Sequence, residues 1–408
     1  MLFARLLRQI IRTGDLVLTD ADGQRHTFGD GTGPRSAIRL HDRALHWKLT
    51  INPELRIGEA FMEGTLTIEE GTLYDFLLLA TDNLAAGPEP AVMRIGHRVK
   101  RWMRWLMQYN PAPRSKANVA HHYDLSGRLY ELFLDRDRQY SCAYFGDPDD
   151  ALETAQENKK RHIAAKLLLE PGQKVLDIGS GWGGLALYLA QTADVDVTGL
   201  TLSEEQHKVA NERARRAGLD GRVRFLLRDY REEQGSYDRI VSVGMFEHVG
   251  VVHYEAFFRQ VRNLLTEDGV ALLHSIGRFD GPAATNPWLR KYIFPGGYSP
   301  ALSEVLPVVE RSRLFATDIE ILRLHYAYTL RHWRQRFMAA RDEIKAIYDE
   351  RFCRMWEFYL VGCELAFVNQ GHMVFQMQMS RKLETVPLTR DYITDWERRS
   401  LGRPDIAA

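Results

Sequence analysis

The sequence contains few cysteines and no excess charge of either sign. Its 408 residues include only Cys142, Cys353 and Cys363, too few for a disulfide framework and in keeping with a reducing cytosol. Lysine plus arginine and aspartate plus glutamate number 54 each, so no net field favours nucleic acid as a partner. No apolar run reaches the ~20 residues of a membrane span, and arginines interrupt the apolar N-terminus, unlike in a signal peptide. We expect a cytoplasmic protein, soluble or peripheral on the inner membrane surface.

Acidic residues are absent from the segment 90–122, which carries seven lysines and arginines. Trp102 and Trp105 are interleaved with these cations, a pattern typical of a helix on an anionic membrane. A solvated helix between two domains is the alternative. Two prolines at 111 and 113 then predict a linker. The predicted division is an N-terminal lipid- or membrane-binding domain (1–105), a linker (106–117) and a larger C-terminal domain (118–408).

A glycine-rich turn lies between an apolar strand, 175–178, and an apolar helix, 185–190. Its pattern is D-x-G-x-G-x-G, formed by Asp177, Gly179, Gly181 and Gly183. Glycines permit a tight turn and let a ligand approach main-chain N–H groups at a helix start. The spacing is typical of S-adenosylmethionine methyltransferases rather than of dinucleotide-binding proteins, and a turn without a ligand is the alternative.

Downstream of this turn, strand and helix patterns alternate. Strands are predicted at 195–200, 223–227, 237–243 and 270–276, with helices at 203–217 and 253–265. This alternation predicts an α/β fold, a Rossmann-like parallel sheet with helices on both faces and ligands at the carboxyl ends of its strands. We also expect a smaller N-terminal α+β domain with strand over 37–49, a lid or acyl-chain wall at 285–300, and a mostly helical layer over 318–379.

Polar residues follow the predicted strands. The acid that usually binds a ribose is missing after the second strand, so Thr201 and Gln206 would take the hydroxyls. Ser203 is equally well explained as a helix N-cap. Asp229 could hold an adenine amino group, and Tyr230 could pack against its ring.

Seven segments, in order, resemble the cyclopropane-fatty-acyl-phospholipid synthases and their mycolic-acid-modifying relatives. They are His122–Leu125, Tyr140–Phe145, the glycine turn, Gly199–Ser203, Met245–Gly250, Tyr292–Gly297 and Tyr326–Leu330. The resemblance covers about residues 118 to 385. It implies a class I methyltransferase fold with a helical lid, and the N-terminal domain resembles that of longer bacterial members that act on membrane phospholipid.

The resemblance also implies the site residues. The S-adenosylmethionine site would contain Tyr140, Ser141, Asp177, Gly179, Gly181, Gly183, Thr201, Gln206, Asp229 and Tyr230. Bicarbonate would be held by Cys142, Glu247, His274, the backbone of Ile276, and Tyr326. No metal ion is implied. The four side chains of the second set also have structural explanations. Cys142 could be a buried small residue and Glu247 an acid at a helix start, while His274 could be a core histidine and Tyr326 a packing residue.

The implied reaction adds a methylene group from S-adenosylmethionine across a cis double bond of a phospholipid acyl chain. A carbocation would form and lose a proton to bicarbonate, with Tyr298 or Phe279 stabilising the cation. A methyl- or methylene-branched product, or a non-enzymatic lipid-docking protein, are the alternatives. Cys363 matches a family cysteine and is a candidate nucleophile, although alkene methylation requires no covalent enzyme intermediate. A homodimer is expected.

Overall fold

A computed structural model of the chain describes residues 2–33, 35–88, 90, 93–94, 96 and 125–400. Most of the basic segment 90–122, the predicted linker 106–117 and His122–Asp124 lie outside these residues. The chain forms two compact units. The first contains the described part of Met1–Arg104 with Ala283–Pro295 and Leu330–His372, and the second contains the rest. The compact units thus differ from the predicted domains at 283–295 and 330–372, and the functional division stays a prediction.

The N-terminal part of the first unit is a small sheet covered by helices. Its elements are α1 (Leu2–Ile10), β1 (Asp15–Thr19), β2 (Arg25–Phe28), β3 (Arg35–Leu40), α2 (Leu45–Ile51), α3 (Pro53–Met62), β4 (Leu66–Glu70) and α4 (Leu73–Ala86). The strand order is β2-β1-β3-β4, with β1 and β3 parallel. The prediction of strand up to residue 49 is wrong beyond Leu40. Leu45 and Leu49 are both buried and four residues apart, so they form the inner face of a helix.

The second unit is built on a seven-stranded sheet. Its first elements are α5 (Gly127–Phe133), α6 (Leu152–Leu167), β5 (Lys174–Ile178), α7 (Gly184–Ala193), β6 (Asp196–Thr201), α8 (Glu204–Arg216), β7 (Val223–Leu227), β8 (Tyr237–Val243), α9 (Tyr254–Leu264) and β9 (Leu265–Arg278). Strands β9, β8, β5, β6 and β7 lie side by side and are all parallel. Because helices cover a parallel sheet, its strands are buried on both faces, as Val175–Ile178 are.

The remaining elements complete both units. They are α10 (Pro287–Tyr292), α11 (Leu302–Arg311), β10 (Phe315–Leu322), α12 (His325–Ala339), α13 (Arg341–Ile347), α14 (Glu350–Asn369), β11 (His372–Ser380) and α15 (Asp391–Ser400). The antiparallel pair β10 and β11 extends the sheet beside β9. The prediction that 318–379 is mostly helical is confirmed for its middle, whereas both ends of the segment are strands.

The predicted lid segment contributes a core residue to the first unit. Trp288 of α10 is only 1% exposed, and its indole Nε1–H donates to the sulfur of Met62 at 3.1 Å. The ring also packs edge-on against Phe358 at 4.7 Å. A lid role for 285–300 stays a prediction. No helix in the described part of the chain is both long and apolar enough to cross a membrane.

Candidate active site

The glycine turn connects β5 to α7 through left-handed backbone. Gly179 and Gly183 both have φ 87°, a conformation that side chains with a Cβ rarely adopt. A Cβ added at Gly179 would lie 2.8 Å from that of Met245, and one added at Gly183 would lie 2.6 Å from the Phe225 ring. Gly179 therefore lets the turn pack closely on Met245, and Gly183 lets α7 pack closely on the sheet.

A cavity opens at the carboxyl ends of the parallel strands, beside this turn. Nine of the ten residues predicted for the cofactor line it: Tyr140, Ser141, Asp177, Gly179, Gly181, Thr201, Gln206, Asp229 and Tyr230. Gly183 packs inside the fold as described. The sequence analysis did not assign several other lining residues, among them Arg138, Trp182, Met245 and His248. Trp182 lies inside the glycine turn and His248 directly follows Glu247, so their positions within these motifs could have indicated that they line the cavity.

The side chains after β6 form a small hydrogen-bonded group in this cavity. The Thr201 hydroxyl donates to Gln206 Oε1 at 2.9 Å and accepts from the Ser203 backbone N–H at 3.1 Å. Ser203 Oγ in turn accepts from the Gln206 N–H at 3.3 Å, which confirms it as the N-cap of α8. After β7, both carboxylate oxygens of Asp229 accept from Arg231, at 2.8 and 2.5 Å.

Two buried ionisable groups lie at the base of the cavity region. Burial raises the pKa of Asp177 to about 7, and its Oδ2 has no hydrogen-bond partner among the described residues. Burial lowers the pKa of Lys159 to about 8, and its ammonium donates to Ser141 Oγ at 2.8 Å and to Gln139 Oε1 at 2.7 Å. Lys159 therefore fixes the loop that carries Ser141.

Glu247 is the first of the predicted bicarbonate residues. It is only 9% exposed, and burial raises the pKa of its carboxyl group to about 7. Its Oε1 accepts from the backbone N–H of Ile276 at 2.7 Å, while Oε2 is buried without a partner among the described residues. The backbone of Ile276 thus holds Glu247, and its contact with bicarbonate stays a prediction.

His274 lies on β9, two residues before Ile276, whose N–H holds the Glu247 carboxyl group. The ring is buried, and desolvation lowers the pKa of His274 well below its ordinary value, so the imidazole is neutral. Its Nδ1 lies 3.2 Å from the Nε2 of Gln376 on β11.

Hydrogen bonds join the segments that carry Cys142 and Tyr326. The Ala143 N–H donates to the Thr329 hydroxyl at 3.0 Å, and the Phe145 N–H donates to His325 Nδ1 at 2.9 Å. These bonds tie the loop after Cys142 to the first turn of α12, where Tyr326 lies. Burial raises the pKa of the Cys142 thiol, so it is protonated at neutral pH.

The other candidates differ in their surroundings. Phe279 is 62% exposed, whereas Tyr298 is buried, its N–H donating to the Glu247 carbonyl at 2.9 Å and its hydroxyl to Glu304 at 2.6 Å. Cys363 belongs to α14 in the first unit, and desolvation raises its thiol pKa to about 12. A protonated thiol is a poor nucleophile, which argues against the covalent role considered for Cys363.

Comparison with known proteins identifies the family. Residues 111–377 match the family model of mycolic acid cyclopropane synthetase. This chain belongs to that family. It is 38% identical over 359 residues to the cyclopropane-fatty-acyl-phospholipid synthase of Escherichia coli, covering 87% of this chain and 90% of that protein. It is 33% identical over 401 residues to the tuberculostearic acid methyltransferase UfaA1 of Mycobacterium tuberculosis, covering 93% of this chain and 90% of that protein.

A solved structure of the family agrees with the fold. The mycolic acid cyclopropane synthase CmaA1, in complex with SAH and CTAB, is 34% identical with a TM-score of 0.62, covering 66% of this chain and 98% of that one. The predicted family, the class I methyltransferase fold and an S-adenosylmethionine-dependent enzyme of this family are thereby confirmed.

Proposed function

We propose that this member of the family transfers a methylene group from S-adenosylmethionine to the cis double bond of an acyl chain in a membrane phospholipid, forming a cyclopropane. The observation that carries the proposal is Glu247, a buried carboxyl group with a pKa of about 7 and one oxygen without a partner among the described residues. The backbone N–H of Ile276, two residues after neutral His274 on β9, holds its other oxygen. A group that exchanges a proton near neutral pH suits a reaction that must remove one.

The cavity at the glycine turn fits S-adenosylmethionine. The backbone of Gly179 and Gly181 lines the cavity, which suits close approach of a ligand, and the paired Thr201 and Gln206 offer partners for hydroxyl groups. Asp177 adds a buried acceptor oxygen without a partner among the described residues. Such an acceptor suits a cationic ligand, and S-adenosylmethionine carries a sulfonium and an ammonium group.

The predicted bicarbonate residues have the chemistry to hold a small anion. Protonated Glu247 can donate from its bare Oε2, and a neutral imidazole such as His274 has one N–H to donate. Cys142, His274 and Tyr326 would hold bicarbonate together with Glu247, as the family resemblance implies. When bound, bicarbonate supplies a base.

The residues of this chain exclude water and direct one proton. As the S–CH3 bond breaks, the methyl carbon bonds to one alkene carbon and leaves a cation on the other. A C–H bond of the new methyl group then breaks, its electron pair closes the ring, and the proton leaves toward the predicted bicarbonate residues. An isolated alkene is a weak nucleophile, so the buried setting of Glu247 and His274 supports the reaction by keeping water from the cation.

A second candidate is a methyl- or methylene-branched product. One relative over nearly the whole chain is named a tuberculostearic acid methyltransferase, and another, from Pseudomonas putida, a probable fatty acid methyltransferase. The same carbocation that loses a different proton would give such a chain. The position of the base relative to the cation decides between the products.

We further propose that the enzyme works as a homodimer on the surface of an anionic membrane. Its substrate chain lies in a bilayer, and the acid-free segment 90–122 carries the cations and tryptophans suited to that surface. Flotation with anionic and with neutral vesicles tests the first part, and light scattering after size exclusion tests the second. Equal flotation with both vesicle types, or a monomeric mass, would contradict the respective part.

The function is tested with purified full-length protein, S-adenosylmethionine and vesicles of an oleoyl phospholipid. We expect release of S-adenosylhomocysteine and an acyl chain one CH2 heavier, with cyclopropane ring protons in its NMR spectrum. Vesicles of a saturated phospholipid are the control and should give neither. Branched-chain signals would favour the second candidate, and no turnover would favour a lipid-docking protein with a relict cofactor site.

A further inference from the structure

A series of hydrogen-bonded, buried side chains connects the C-terminal end of α6 to His274. Lys166 of α6 is buried, and its ammonium donates to Glu320 of β10 and, at 2.9 Å, to Oε1 of Gln376. The other end of the Gln376 amide, Nε2, lies 3.2 Å from Nδ1 of His274. Both Gln376 and His274 are almost fully buried, so neither has water as an alternative partner.

Hydrogen-bond chemistry fixes the orientation of this amide. A lysine ammonium has donors and no acceptor, so it requires the carbonyl oxygen of Gln376. The reverse orientation would place the amide NH2 against the ammonium, leaving two donors facing each other in a buried site at a large cost. The NH2 group of Gln376 must therefore face His274, and Glu320 keeps the ammonium in place.

The amide in turn determines which ring nitrogen of His274 carries the proton. A nitrogen that accepts from an NH2 group has no hydrogen of its own, so Nδ1 is unprotonated. Since burial keeps the ring neutral, its one hydrogen is on Nε2. In the resting arrangement His274 is thus a donor through Nε2 alone.

We infer that Lys166 and Gln376 are positioning residues that lock His274 in its Nε2–H tautomer, so that it presents a hydrogen-bond donor to the anion. The role toward the anion rests on the function proposed above, whereas the tautomer itself follows from the contacts of these three side chains. Without the lock, Nδ1–H and Nε2–H forms would both be populated, and only one of them donates from the required nitrogen.

The test is 15N NMR of the histidine side chains in the full-length protein, with His274→Gln to assign the resonance. We expect one protonated nitrogen, Nε2, and one unprotonated nitrogen, Nδ1. In Gln376→Glu, a carboxylate faces the ring and accepts from it, so the proton should appear on Nδ1. In Lys166→Met, the amide is free to turn, and both tautomers should be seen.

The matched control is Gln378→Met, the counterpart of Gln376→Met, because a carboxylate at 378 would face the carbonyl of Lys166. Gln378 is two residues along the same strand, equally buried, and donates to the Lys166 carbonyl at 2.6 Å and to the Tyr392 hydroxyl at 2.8 Å. This control also replaces a buried glutamine on β11, but residue 378 makes no hydrogen bond with His274. The tautomer of His274 should therefore stay as in the unmodified protein. If Gln376→Glu does not fold, Gln376→Met serves instead and should give mixed tautomers.

Activity supplies the second measurement. Loss of one donor to a charged ligand should lower kcat about 10- to 100-fold in Gln376→Glu, while the Kd for S-adenosylhomocysteine is unchanged. Protonated Nδ1 in the unmodified protein, or an unchanged tautomer in Gln376→Glu, would overturn the inference. The expected tautomers together with normal activity in His274→Gln would leave the lock standing and contradict the anion role in the proposed function.

Discussion

The substitution Glu247→Gln should remove activity and at the same time stabilise the protein. The carboxyl group has a pKa of about 7 in place of its ordinary 4.5, because burial penalises its charged form. At about 1.4 kcal/mol for each pH unit, this difference makes the ionised side chain cost about 3 kcal/mol of folding free energy. Glutamine has nearly the same shape and cannot ionise.

The sign of this effect depends on pH. Below pH 4.5 the carboxyl group is neutral in both folded and unfolded protein, so the substitution should change stability little. As pH rises from 4.5 through 7, the unfolded chain ionises first and the unmodified protein loses its advantage. Above pH 7 the variant should therefore be more stable by about 3 kcal/mol. Protonated glutamate and glutamine both place a hydrogen-bond donor at the Oε2 position. A contact made there would therefore not offset the difference in the free energy of unfolding.

The assay is urea unfolding at pH 4.5 and pH 8, paired with turnover and cofactor binding. Glu233→Gln is the matched control, since Glu233 is a buried carboxylate that accepts from Arg228 and Tyr237, both at 2.9 Å. Losing those contacts should destabilise the protein. Glu247→Gln should lower kcat about 100-fold or more and leave S-adenosylhomocysteine affinity unchanged. A variant less stable than the unmodified protein at pH 8, or one with full turnover, would refute the reasoning.

Three further predictions concern the turn, the loop contact and pH. Gly179→Ala should abolish measurable S-adenosylhomocysteine binding in calorimetry, because the new Cβ meets a neighbouring methionine, whereas Gly172→Ala, with φ 81° but open space, should only lower the melting temperature. Thr329→Val should lower kcat about tenfold with unchanged cofactor affinity, because the Ala143 N–H loses its acceptor; equal loss of both would contradict it. The pH–rate profile should show an apparent pKa near 7, assigned to Glu247, and a profile unchanged in Glu247→Gln would exclude that assignment.

The parallel core of the second unit could be predicted from the sequence because its signals are local. Apolar runs such as 175–178 precede polar residues at the strand ends, and the glycine turn has a fixed spacing. The N-cap at Ser203 follows from its position before an amphipathic helix. These features depend on neighbours in the chain and require no knowledge of tertiary contacts.

The last strand of the sheet was missed although its pattern is regular. From Phe375 to Met379 apolar residues alternate with Gln376 and Gln378, a period of two that favours a strand. The aromatic residues before it favour helix, so the prediction of a mostly helical segment extends to Met379 and covers this strand. The burial of both amides could not be anticipated, because it depends on Lys166 and Tyr392 from distant parts of the chain.

In the candidate site, too, the residues in local motifs could be predicted from the sequence, whereas their tertiary contacts could not. Nine of the residues predicted to bind the cofactor line the cavity, because the sequence motifs that contain them lie at the carboxyl ends of the strands. The contact of Glu247 with Ile276 requires β8 beside β9, and the amide beside His274 requires β11 beside β9, so no spacing rule shows them. Trp288 is a further case, since its burial in the first unit's core depends on Met62 and Phe358, which are distant in the sequence.

The most direct measurement of the central claim uses S-adenosylmethionine with a fully deuterated methyl group and vesicles of an oleoyl phospholipid. The account predicts that the transferred carbon loses one deuteron and keeps two, and that NMR finds both on the CH2 of a cyclopropane ring. An acyl product that keeps all three deuterons, or that carries the new carbon outside a ring, would contradict it.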